Sequence, residues 1–225
     1  MPEQCQANQL CIKQQNCKHS KDLTLSLINM TDPNEWDILL IQEPYIYTEH
    51  TISIATSRWF PLYPPPNTKQ SPRSIILIST NISSNTFEQI QLPSDVVTAI
   101  TLMIPGGKIN IYNIYNPPNS NEACVAIHAW LMEHPTEESD CTIWAGDFNK
   151  HDPMWTNPAH HARCERSDTE TLMQLIAEHQ LMLALPAGTL TYQSDSHGTW
   201  STLDLVFCDQ ATHGRILTCN ASIED

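Results

Sequence analysis

"CTIWAGDFNKHDPMW", Cys141 to Trp155, is the stretch on which the reading of the chain turns. It opens as a short apolar run closed by Gly146 and Asp147, the pattern of a buried strand. An acid, Asp147, and an amide, Asn149, then stand two residues apart. A carboxylate at a strand end costs desolvation energy unless something pairs with it. Alone, it reads as a turn former or a helix cap. Here the pattern recurs: Asn16 closes "LCIKQQN", Glu43 follows "DILLIQ", Tyr115 and Asn116 close "INIYNIY", and Asp204 sits in "STLDLVF". Sites gather where scaffold strands run out into loops. No Lys or Arg adjoins Glu43, Asp147 or Asp204 in sequence, apart from Lys150. Hard oxygen donors without a basic neighbour suit Mg²⁺. The pattern allows two readings, a metal-dependent site and a set of turn formers.

Outward from this stretch, apolar runs rich in branched residues predict further strands: "TISIAT", "SIILIST", "FEQIQL", "VVTAITLMI", "TLTYQ", "TWSTLDLVFCD" and "GRILTC". "GGKINIYNIYNPPNS" opens at a Gly-Gly turn and ends at Pro117-Pro118, which cannot continue a central strand. "SKDLTLSLINMTDP" reads as a helix with Ser20 as N-cap and Pro33 beyond its end. "SNEACVAIHAWLMEH" places Ala123, Ala126, Ile127, Trp130 and Leu131 on one helical face. "SDTETLMQLIAEHQL" opens with a capping box, Ser167 with Glu170, and buries Leu172, Leu175 and Ile176. "PLYPPPNTKQSPRS", Pro61 to Ser74, predicts a surface loop. Strand-to-strand steps dominate the middle, so the expectation is a layered α/β fold with mixed sheets, not a strict βαβ repeat.

The 225 residues suffice for a single domain spanning 1–225 with a continuous core. A net charge of −14 argues against gripping nucleic acid by bulk electrostatics alone. It does not exclude an enzyme whose positive charge is a bound divalent ion. No apolar run approaches the roughly 18 residues of a membrane helix, so no membrane partner is expected. The first residues lack the basic-then-apolar order of a secretory signal, so the chain reads as intracellular and not secreted. The eight cysteines accordingly read as reduced thiols, including Cys5, Cys11 and Cys17, spaced by six. Lys13, Lys18 and Lys21 read as a solvated helix entry. "HHARC", His160 to Cys164, lacks a second pair at zinc-finger spacing and reads as a surface loop. Trp130 reads as core, and Trp59 and Trp155 as loop packing. Met173 and Met182 read as core fillers and "HDPMW" as a loop brace.

"QQNCKHS", "IQEPY", "NIYNPP", "WAGDFNKHDPMW" and "STLDLVF", in that order and spacing, resemble the endonuclease/exonuclease/phosphatase superfamily. More narrowly they are similar to the apurinic/apyrimidinic-endonuclease-like domain of non-LTR retrotransposons, especially fungal ones, from about Asn16 onward. The resemblance implies a four-layer α/β sandwich, two mixed sheets with helices outside. It implies that Glu43 ligates a divalent ion, Mg²⁺ or its substitute Mn²⁺, with Asn16 beside it. Asp147 would orient or deprotonate the attacking water, and Asn149 would hold that water or a phosphate oxygen. Tyr115 would donate a hydrogen bond to the phosphate, and Asp204 would orient a His. The implied substrate is DNA, which admits a nuclear location. The chemistry is coherent: a cation and fixed donors stabilise the charge that develops as a phosphodiester breaks. The attacking water needs a carboxylate within reach. If the strand end stays extended, Asp147 and Asn149 point to the same side.

In one respect the chain departs from the superfamily, whose members carry a later Ser-Asp-His triplet. These residues stop at "CNASIED", before such a segment, and "SDSH" (Ser194 to His197) reads as a hairpin turn. The expectation is a C-terminally truncated sandwich with one strand left as an exposed edge. Weak or absent nuclease activity follows, because losing a general-acid or phosphate-binding group costs orders of magnitude in rate. A phosphomonoesterase or lipid phosphatase of the same fold, and a catalytically silent remnant, are the rival readings. Oligomeric state is not encoded in these features.

Overall fold

The computed structural model describes residues 9–47, 57–65, 71–137, 139–164, 166–194 and 198–222. Its first sheet has the order β1-β2-β4-β3. These strands are β1 (Ile12–Asn16), β2 (Ile38–Gln42), β3 (Trp59–Leu62) and β4 (Ser74–Ser79), with helix α1 (Lys21–Met30) between β1 and β2. The second sheet has the order β5-β6-β7-β8-β12-β9. Its members are β5 (Phe87–Ile90), β6 (Val97–Ile104), β7 (Gly107–Tyr115), β8 (Cys141–Asp147), β12 (Asp204–Cys208) and the short β9 (Met182–Leu183). Helix α2 (Glu122–Glu133) joins β7 to β8, and α3 (Arg166–Glu178) follows β8. A two-stranded ribbon, β10 (Tyr192–Gln193) with β11 (Trp200–Ser201), precedes β12, and α4 (Gln210–His213) follows it.

Each sheet is mixed, because β1–β2 and β7–β8 are parallel and the other pairs antiparallel. A parallel pair needs a crossover connection, which α1 and α2 supply. Three apolar layers follow from the period of two along the strands. Ile38, Leu40, Ile76 and Ile78 face Ile100, Ile109, Ile111 and Ile143 between the sheets. The alternate residues Leu39, Ile41, Ile75 and Leu77 pack with Leu27 and Ile28 of α1. On the far side Val97, Ala99, Tyr112, Ile114 and Trp144 pack with Ile127 and Leu131 of α2 and Leu172 and Leu175 of α3. Covered on both faces, β2 and β4 must be apolar throughout their middles. The architecture is the expected α/β sandwich of two mixed sheets with outer helices.

Local expectations meet mixed fates. Ser20 caps α1, accepting from Leu23 N. Asp152 braces its loop, accepting from Met154 N at 2.9 Å and from Thr169 Oγ1 at 2.9 Å. Trp59 and Trp155 are buried, 1% and 0% exposed. Trp130 is only half-buried and stacks on His134 at 3.8 Å. β3 intrudes on the predicted Pro-rich loop, and Pro61 is tolerated because β3 lies at a sheet edge. Residues 214–219 form no strand: they follow α4 and are mostly solvent-exposed, Leu217 to 72%. Met182 lies on the edge strand β9, 39% exposed, and fills no core gap. Helix α3 starts at Arg166, one residue before the predicted cap Ser167. Cys11 is disulfide-bonded, whereas Cys17, Cys124, Cys141, Cys164, Cys208 and Cys219 are free, so the argument from uniformly reduced thiols fails. The predicted strand "TISIAT" and most of "SDSH" lie outside the described residues.

Candidate active site

The two parallel pairs bring their C-terminal ends to one rim. Asn16 is in register with Gln42, the residue before Glu43, and Tyr115 is in register with Asp147. β12 runs antiparallel to β8 and begins there, with Asp204 opposite Asp147. All six residues singled out from the sequence therefore converge. Asn16 Nδ2 donates to Asp147 Oδ2 at 2.7 Å across the gap between the sheets. Asn149 N donates to Asp147 Oδ1 at 3.0 Å, and Asn149 Nδ2 donates to Asn116 O at 3.1 Å. Tyr115 hydrogen-bonds the Glu43 carboxylate. Gln14 Nε2 donates to Asp204 Oδ1 at 2.7 Å, and Thr191 hydrogen-bonds the same carboxylate.

The chain does not stay extended after β8. Asn149 is left-handed, φ 48°, and closes an Asx turn on Asp147 through its backbone N–H. The amide side chain thus reaches the rim by a turn, not by strand alternation. Gly146 makes the approach possible: a Cβ on it would overlap the backbone carbonyl of Ile114 in the neighbouring strand, and its φ is +148°.

Behind the rim a polar seam joins the sheets. Gln14 Nε2 also donates to Gln42 Oε1 at 2.9 Å, and Gln42 Nε2 donates to Asn113 Oδ1. Asn113 Nδ2 donates to Ile41 O at 3.0 Å and Ile75 O at 2.7 Å. Gln42 and Asn113 are both fully buried, so these bonds offset a desolvation cost that would otherwise stand. The seam fixes Asp204 from the first sheet.

The acids divide into two environments. Asp147 is 7% exposed, and burial first, then the charge of Asp204, push its carboxyl from 3.8 up to about 7. Asn16 and the Asn149 N–H pull the other way without overcoming them. Burial likewise raises Asp204, against the hydrogen bonds of Gln14 and Thr191. Glu43 goes down: burial opposes ionisation, but the hydrogen bonds of Tyr115 and Arg73 and the charges of His19 and Arg73 outweigh it. Burial raises the Tyr115 phenol, helped by its bond to Glu43, so Tyr115 stays a proton donor.

Arg73 and His19 escaped the sequence reading. Arg73 Nη2 donates to Glu43 Oε1 at 2.6 Å and to Tyr115 Oη at 2.8 Å, with its guanidinium 4.3 Å from the Tyr115 ring centre. His19 Nε2 lies 3.3 Å from Glu43 Oε1. Arg73 stands 30 residues from Glu43 and meets it only because β2 and β4 pair antiparallel, Gln42 opposite Ser74. The lysines near the start are not simply solvated. Lys18 lies 4.9 Å from the Tyr192 ring and Lys21 5.3 Å from the Tyr47 ring, edging the same rim.

Among the described residues, no three of His, Cys, Asp and Glu close on one another tightly enough to cage a metal. Mg²⁺ rarely needs such a cage, being held by one or two carboxylates and several waters. Glu43 with Asn16, beside an under-compensated Asp147–Asp204 pair, fits that mode. Arg73 is the competitor for Glu43.

Residues 109–225 match the family described as endonuclease-reverse transcriptase. No curated protein matches the chain. Solved structures do. The endonuclease domain of TRAS1, a telomere-specific non-LTR retrotransposon, is 16% identical with a TM-score of 0.70, over 90% of this chain and 86% of that one. An AP endonuclease from Archaeoglobus fulgidus is 14% identical with a TM-score of 0.68, over 96% of this chain and 93% of that one. The 3′ phosphatase NExo from Neisseria, bound to a product DNA hairpin, is 14% identical with a TM-score of 0.65, over 92% and 89%.

Proposed function

Because the chain belongs to the endonuclease-reverse transcriptase family, within the endonuclease/exonuclease/phosphatase superfamily, we propose that it is a Mg²⁺-dependent phosphodiester hydrolase of retrotransposon type acting on DNA. The observation that carries this reading is the convergence of Asn16, Glu43, Tyr115, Asp147, Asn149 and Asp204 from separate strand ends onto one rim. Glu43, with Asn16 beside it, would hold the cation, which supplies charge to the phosphate oxygens.

Asp147 takes the proton of the attacking water. A base near 7 is half ionised at neutral pH and still basic enough to act, which burial and Asp204 arrange. Asn16 and the Asn149 N–H leave that carboxylate one orientation. Tyr115 keeps its phenolic proton, which Glu43 accepts here, and would turn it toward a phosphate oxygen once substrate and cation are bound. Asn149 Oδ1 accepts from the water or from a protonated phosphate. Asp204 raises Asp147 and is itself held by Gln14 and Thr191. No Ser-Asp-His triplet occurs among the 225 residues to give Asp204 an imidazole partner, so the expected rate for these residues is low.

Purified protein with Mg²⁺ converts supercoiled plasmid slowly to the open circle, and Asp147→Ala does not. Equal inactivity of the two, with both folded, favours a silent scaffold. Release of inorganic phosphate from a 3′-phosphorylated oligonucleotide without nicking favours the phosphomonoesterase, the activity named for the Neisseria structure.

A further inference from the structure

Beside Glu43 lies an open groove of about 450 Å³, lined by His19, Pro44, Tyr45, Ile46, Ser71, Pro72 and Arg73. His19 and Arg73 both reach the Glu43 carboxylate from the groove side, and the other ring nitrogen of His19, Nδ1, lies 3.3 Å from Pro44 O. The Arg73 guanidinium is anchored by one nitrogen only. Nη2 carries the bonds to Glu43 and Tyr115, and the Tyr115 ring lies against the guanidinium. Among the described residues Nε and Nη1 have no hydrogen-bond partner, and the side chain is 29% exposed.

A guanidinium with a fixed plane and unused donors at the edge of a groove is prepared for an oxyanion, because its fork matches two oxygens of a phosphate at once. A simple counter-ion for Glu43 needs neither the ring support nor the open donors. The chain's net charge of −14 repels a polyanion overall, so a nucleic-acid strand must be received at local cationic positions. Lys21, set against Tyr47, extends the same side of the rim.

We propose that this groove is an anion-binding subsite for a backbone phosphate of the nucleic-acid strand, one removed from the reacting phosphate, with Arg73 as its clamp. Resting on the phosphodiesterase reading above, this gives Arg73 two partners at once. Nη2 keeps Glu43 and Tyr115 in place while Nε and Nη1 hold the strand, so strand binding and the orientation of Glu43 are linked through one side chain. Arg73 is on this account a positioning residue.

The test uses binding without catalysis. A short fluorescein-labelled DNA duplex is titrated in chelator with the whole chain, followed by anisotropy. Arg73→Gln should bind about tenfold more weakly, and its slope of log affinity against log salt should fall by about one. Arg73→Lys should keep the slope and lose part of the affinity, since a point charge replaces the fork. Phenylglyoxal labelling of Arg73 in the wild type, read by peptide mass, should slow when the duplex is present, and this arm stands even where a variant fails to fold. Unchanged affinity in a folded Arg73→Gln, or labelling that the duplex does not slow, overturns the subsite, as does a wild type that binds no duplex. Wild-type plasmid nicking, run in parallel, separates the two claims: nicking with no Arg73 effect removes the subsite alone, and no nicking with intact Arg73-dependent binding removes the hydrolase reading alone.

Discussion

Asp147→Asn should make the protein more stable above neutral pH while removing the base of the proposed hydrolysis. The Asp147 carboxyl rises from 3.8 to about 7 on folding, through burial first and the neighbouring charge of Asp204 second. A group that binds its proton more tightly when folded contributes stability while protonated. That contribution is complete below about 3.8 and is lost as pH rises through about 7. Some three pH units at about 1.4 kcal/mol each give roughly 4 kcal/mol forfeited by about pH 8. The asparagine escapes this loss, but its NH₂ must face either the donating Asn16 amide or the Asn149 N–H, which costs about 1–2 kcal/mol. The net is a gain of about 2–3 kcal/mol at about pH 8, a midpoint higher by roughly 5–10 °C for a domain of this size. At about pH 5.5 half of the wild-type loss has not yet occurred, so the advantage shrinks by about 2 kcal/mol. Thermal unfolding in chelator at the two pH values measures both. A variant that melts below wild type at both, or by a gap indifferent to pH, refutes the placement of a strained, buried acid at the strand end.

Three further outcomes follow from the same geometry. Gly146→Ala should cost upwards of about 3 kcal/mol or prevent folding, since a Cβ there meets the Ile114 backbone, which cannot yield; soluble expression and urea unfolding check it. Gln14→Leu should destabilise by about 1–3 kcal/mol, because the Asp204 and Gln42 oxygens each lose a donor in the seam; circular dichroism melts measure it. Mg²⁺ should raise the wild-type midpoint, by up to about 2.7 kcal/mol of added stability at a hundredfold excess over Kd, and Glu43→Gln should abolish most of that rise; an equal rise in both would place the ion elsewhere.

The strand ends were readable because the constraint there is local. An apolar run such as "DILLIQ" must be a buried strand, and the polar residue that closes it must lie at the rim, so Glu43 and Asp147 could be placed without knowing their neighbours. What surrounds them could not be read. Arg73 reaches Glu43 through a strand register, and Gln14 reaches Asp204 across 190 positions. The absence of a basic neighbour in sequence therefore said nothing about one in space. β3 stayed hidden because Pro61 argues for a loop unless the strand is known to be an edge. The opposite error, a strand over residues 214–219, came from reading apolar content as burial, whereas Leu217 stays 72% exposed. Among the described residues Asp204 is held by Gln14 and Thr191, neither of which its own stretch of sequence announced.

Carboxylates from separate strand ends that form one pocket should accept a divalent ion there. Crystals grown with Mn²⁺ and measured at its absorption edge test this directly. An anomalous peak is expected in contact with the Glu43 carboxylate, on the side facing Asn16 and Asp147. A fully occupied Mn²⁺ peak elsewhere on the molecule, with none at Glu43, would contradict it.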